Sequence, residues 1–192
     1  MDELGENLST LGLLFTLMSL STSPHPFILI LCYIIHELGH MTFARLTGAK
    51  IGKMRAGVFH LSLSYDCSRL TYGKEILVCA GGIIFNLLSV AITCFFPFLQ
   101  GEVYDFFKIC SISLALMNLY PISILDGGGI LKGVLLLILP EGVAEKASEV
   151  SSFIFAILMW LLAVYLQLVF SSNLSLFFIS VLLLIQLCFV IK

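Results

Sequence analysis

The chain has 192 residues, of which 59% are apolar or aromatic and only 11% charged, with a mean hydropathy of +1.08 and a net charge of -2. A soluble domain averages about 45–50% apolar and about 25% charged, and a chain this short has too little interior to hide the difference. Lipid is therefore the solvent for most of it, which excludes a soluble enzyme, a nucleic-acid-binding domain and a disordered segment.

Apolar runs fall at 8–20, 26–46, 76–99, 109–125, 150–170 and 174–191. At about 20 residues per crossing, they predict an all-α polytopic membrane protein of about six transmembrane helices. A single integral membrane domain then covers 1–192. The run at 133–139 is too brief to cross alone, so it extends the fourth span after a break or lies near the interface. The N-terminus starts Met-Asp-Glu without a basic stretch, so the first run reads as a retained span rather than a cleaved signal.

Six of the ten basic residues (Arg45, Lys50, Lys53, Arg55, Arg69 and Lys74) lie at the end of the second run or between it and the third. Basic loops face the cytoplasm, which places this loop and both termini on the cytoplasmic side of the cell membrane. Within it Phe59, Leu61, Leu63 and Tyr65 alternate with His60, Ser62 and Ser64, a period of two that predicts a strand in a short hairpin-like segment. Such a strand either pairs with an extended substrate segment or merely packs over the helix ends.

The six cysteines show no paired spacing, and five sit in apolar runs, so they read as small buried hydrophobes. His25 and His60 read as loop or interface residues. Of the charged residues, only Glu37 and Asp126 are embedded in apolar sequence, and an ionisable group at membrane depth marks a functional site.

Glu37 belongs to His36-Glu37-Leu38-Gly39-His40. Histidines four apart share one helical face and can reach one ion. Zinc accepts neutral imidazole and, in catalytic sites, keeps a position open for water. Glutamate beside the first ligand is placed to take a proton from that water. Two histidines leave the ion short of a third protein ligand, and Asp126 is the remaining intramembrane carboxylate. It lies inside the stretch Asn118-Leu119-Tyr120-Pro121-Ile122-Ser123-Ile124-Leu125-Asp126-Gly127. Pro121 removes a backbone donor and the glycines from Gly127 to Gly129 loosen the helix again.

Together these motifs resemble the site-2 protease family of intramembrane zinc metalloproteases, which pairs H-E-x-x-H with the aspartate of N-x-x-P-x-x-x-L-D-G. Both motifs stand here in the family's order, one span apart. That span carries Ala80-Gly81-Gly82-Ile83-Ile84-Phe85-Asn86, similar to the family's glycine-x-x-x-asparagine element but with Ile83 where proline is usual. The similarity covers about 26–129, the expected catalytic core. It is nearest the compact branch typified by the stage IV sporulation protease, though without that protein's CBS domain. The resemblance implies one Zn2+ per chain on His36, His40 and Asp126, with Glu37 activating water. It also implies substrate or oxyanion contacts from Asn118 and a substrate or packing contact from Asn86. Gly81 and Gly82 would let two helices approach closely.

The function so implied is hydrolysis of peptide bonds in membrane-embedded or membrane-associated proteins, a transcription-factor precursor being one candidate class, with lipid as the surroundings and no nucleic acid. Two other readings use the same residues: a membrane zinc or ion transporter, and a proteolytically silent metal-binding membrane protein. Transporters tend to show repeated halves and dispersed polar residues, neither of which this sequence has. A transport site also leaves Glu37 unexplained.

Overall fold

The computed structural model describes residues 25–57, 60–66, 70–96, 101–170 and scattered positions between 177 and 187, with the side chains of 50–69 and of 170 left aside. The elements are α1 (His25–Thr47), β1 (Lys50–Gly57), β2 (His60–Asp66), α2 (Tyr72–Phe95), α3 (Glu102–Asn118), α4 (Asp126–Ile138) and α5 (Glu141–Phe170). Among them α1, α2 and α5 are long and apolar enough to cross a membrane. The chain forms two compact units, Met1–Leu116 and Met117–Lys192.

In the first unit, α1 is apolar all round, yet its two faces differ in what they bury. Phe27, Leu29, Leu31, Ile34 and Leu38 are exposed, whereas Ile28, Cys32, His36, Gly39, His40 and Ala44 are buried. The buried positions recur at helical spacing, and they include the polar ones. Apolar outside and polar inside is the arrangement that lipid rewards, because a polar group facing hydrocarbon has no partner.

Against this inner face packs α2, and the approach is set by glycine. A Cβ on Gly81 would meet the Gly39 carbonyl oxygen at 2.7 Å, and one on Gly39 would meet the Gly81 carbonyl. The two backbones cross in near contact, as small residues permit in membrane helix pairs. Ile28, Cys32 and Phe107 form a small core with Cys110 and Leu114 beside it, and the Ser111 hydroxyl reaches Cys32 Sγ at 3.3 Å. At its end α1 stops on Gly48, whose φ of 83° suits glycine, while Ala49 N–H donates to Ala44 O at 2.9 Å.

Between α1 and α2 the chain forms a two-stranded antiparallel ladder, with Gly57 opposite His60, Met54 opposite Leu63 and Lys50 opposite Asp66. The register shifts between Ile51 and Met54. The strand expected at 59–65 thus falls at His60–Asp66, paired with a preceding strand whose alternation is interrupted at Gly52; Phe59 lies outside the described residues.

The apolar run at 109–125, in which Pro121 is expected to disturb the helix, is broken in the structure. Helix α3 stops at Asn118, 17 residues long and short of the roughly 20 a crossing takes. Residues 119–125 form turns, and α4 starts at Asp126. Pro121 has no N–H to continue the helical ladder, and the turns supply other bonds: Ile122 N–H to Tyr120 O and Leu125 N–H to Ile122 O, each 2.8 Å. The short apolar run at 133–139 is the second half of α4, an extension after the break. Ile122 is fully buried with Ala156, Met159, Leu183 and Leu187. Ser152 pins the break from α5, accepting from the Ser123 N–H at 2.9 Å and donating to Ser148 O at 2.7 Å.

The described residues contain three helices of crossing length where the sequence predicted six spans. The predicted span at 8–20 lies outside the described residues, and that at 174–191 is described only at helical positions such as Ser180, Leu183 and Leu187.

Candidate metal centre

His36 and His40 sit one turn apart on the inner face of α1, 3% and 6% exposed. Their rings meet edge to face with centroids 4.8 Å apart, and the two Nε2 atoms lie 3.2 Å from each other. The other nitrogen of each ring is engaged from α2. His40 Nδ1 lies 2.8 Å from the Val78 carbonyl oxygen. A carbonyl only accepts, so that nitrogen carries the proton and Nε2 keeps its lone pair. His36 Nδ1 lies 3.2 Å from the amide nitrogen of Asn86, a residue with no exposed surface.

The space between the imidazoles depends on Gly82. A Cβ there would come to 2.5 Å from His40 Nε2 and 2.6 Å from His36 Nε2. No side chain larger than hydrogen fits, so the α2 backbone itself forms one wall of the site.

The donor set fits a zinc ion. Two nitrogens each about 2.0–2.1 Å from a tetrahedral ion lie about 3.3 Å apart, close to the observed 3.2 Å. Both rings are buried, and a carbonyl holding the distal nitrogen of one of them is the usual outer support of a metal-bound histidine.

Glu37 lies between the two histidines in sequence and is partly exposed. The hydroxyl of Tyr33, one turn earlier, donates to its Oε1 at 3.0 Å. That contact fixes the rotamer of the carboxylate. Motif reading passes over Tyr33, although its signal is in the sequence: it stands four residues before Glu37, the spacing that brings side chains together on a helix.

In the second unit, Asn118 is the last residue of α3 and Asp126 the first of α4, so the helix break separates the two polar residues of the second motif. Asp126 occupies the first turn of its helix, where a carboxylate meets the positive end of the backbone dipole. Its Oδ2 is buried. Gly127 and Gly128 follow against the break: a Cβ on Gly127 would strike the Leu119 and Tyr120 carbonyls, and one on Gly128 the Ile122 carbonyl. Glycine is thus required for the turn to fold back on the start of α4.

Residues 100–162 match the model of peptidase family M50, a segment that includes Asn118 and Asp126 but not His36 or His40. No curated protein matches the sequence significantly. Among solved structures, the site-2 protease from Methanocaldococcus jannaschii shares the fold, with a TM-score of 0.59 and 21% identity over 94% of this chain and 85% of that one. The chain resembles the site-2 proteases in its motifs, in its family match and in its fold.

Proposed function

We propose that this chain is an intramembrane zinc metalloendopeptidase that cuts membrane-embedded or membrane-tethered protein substrates. The observation that carries the reading is the buried pair of imidazoles, 3.2 Å apart at Nε2, with Glu37 between them on a helix fit to cross a membrane. His36 and His40 hold the ion, and by the resemblance of the second motif Asp126 is the third ligand. Zinc bound there supplies Lewis acidity, polarising the scissile carbonyl and lowering the pKa of water.

Glu37 takes the proton from the attacking water as the new C–O bond forms, and returns it to the amine as the C–N bond breaks. The phenol of Tyr33 holds one carboxylate oxygen and so limits the rotation that would aim the base elsewhere. Asn118 donates its amide N–H to the oxyanion that develops on the carbonyl oxygen. The β1–β2 ladder offers strand edges that an unwound substrate segment can extend.

Co-expression with a panel of membrane-tethered transcription-factor precursors, read as cleavage on a blot, tests the activity. Glu37→Gln keeps the size of the side chain but not its basicity. It is expected to retain zinc while cleavage falls at least about a hundredfold, the scale of general-base loss. Near-normal cleavage by this variant contradicts the reading.

A further inference from the structure

Asn86 has no exposed surface, lies on α2 one turn beyond Gly82, and directs its side chain at His36. With the amide nitrogen toward the ring, its Oδ1 is buried without a hydrogen-bond partner among the described residues. A buried carbonyl oxygen left unsatisfied costs about 1–3 kcal/mol. The two ends of an amide are alike in shape, and their assignment follows from the hydrogen bonds each setting makes. Turning the amide over pairs Oδ1 with His36 Nδ1–H and puts the NH2 group where Oδ1 stood.

The two settings have different consequences for the far side of the ring. If the amide nitrogen donates to Nδ1, the ring's proton must sit on Nε2, which then has no lone pair to offer. If Oδ1 accepts from Nδ1–H, Nε2 is bare and faces the bare Nε2 of His40, whose own proton is held by the Val78 carbonyl. Only the second setting makes both nitrogens ligands.

We infer that Asn86 is a positioning residue for the metal: its Oδ1 accepts from His36 Nδ1–H and fixes the tautomer and ring orientation in which His36 binds the ion. It plays toward His36 the part that the Val78 backbone plays toward His40. Asn86 therefore acts on a ligand and not on the substrate, and a residue of this kind is worth about 10–100-fold in metal affinity. The inference rests on the proposed zinc site, and its test reads metal binding alone.

Zinc affinity of the full chain in detergent, measured by competition with a chelator, and the visible spectrum of the cobalt-substituted protein provide two readouts. Asn86→Leu keeps the volume and removes the acceptor; it should weaken zinc binding about 10–100-fold and alter the cobalt spectrum. Asn86→Asp supplies an acceptor and no donor, and should bind zinc about as well as the wild type with an unchanged cobalt spectrum. Should the leucine variant fail to fold, the aspartate variant decides. Wild-type affinity in Asn86→Leu, or loss of binding in Asn86→Asp, overturns the inference and leaves the zinc site standing. Absence of zinc binding by the wild type removes both.

Discussion

At the scale of single residues, the site is built as much by what is missing as by what is present. The imidazoles of His36 and His40 have room to face each other because position 82 has no side chain. Gly82→Ala would put a methyl carbon 2.5–2.6 Å from both Nε2 atoms, inside any tolerable contact, so both imidazoles would have to move. Zinc measured by elemental analysis is expected to fall below about a tenth of the wild-type content, since ligand geometry tolerates little displacement. Gly73→Ala is the control: a Cβ there meets nothing within 4 Å, and zinc content should not change. The facing of His36 and His40 was legible in the sequence because a four-residue spacing fixes who meets whom within one helix. The same rule reaches Tyr33. On α2, Asn86 was marked by the resemblance but not what it touches, and Val78 was not marked at all. Which carbonyl or amide meets which ring depends on the crossing of two helices, and the Val78 contact is made by backbone, which leaves no trace in residue type.

At the scale of elements, apolarity located the helices but not their ends. Helix α5 starts at Glu141, nine residues before its apolar run, because the polar residues of that segment serve in helix as well as in loop. One of them, Glu145, pairs with Lys132 of α4 at 3.0 Å. The fourth run misled in the opposite sense: residues 109–125 are uniformly apolar or uncharged, yet the helix stops at Asn118. Pro121 signalled the disturbance, but not its extent, which is set by turns that bond internally and by the Ser152 hydroxyl from α5. The break separates Asn118 from Asp126 and gives the aspartate a helix N-terminus of its own. Strand β1 escaped notice because Gly52 interrupts the alternation of its residues, Lys50-Ile51-Gly52-Lys53-Met54-Arg55-Ala56-Gly57, and leaves only a four-residue pattern, with the register shifting at the same place.

At the scale of the whole molecule, composition alone identified lipid as the solvent, and the polar-inward face of α1 shows the consequence. The orientation proposed for the chain follows from the basic residues between α1 and α2. A cysteine-accessibility map should place the segment from Lys50 to Lys74 on the cytoplasmic side. The histidines, five and nine residues or roughly 8 and 14 Å of helix before Arg45, are then reached from the cytoplasmic half of the membrane. Labelling of this segment from the opposite side contradicts that access route without touching the metal chemistry.

The metal itself is the claim on which the rest depends. Elemental analysis of the purified protein should find about one zinc per chain, and the double variant His36→Ala, His40→Ala should carry essentially none, because two of the three proposed ligands are gone. Wild-type protein that cleaves a membrane substrate while holding no zinc would contradict the account.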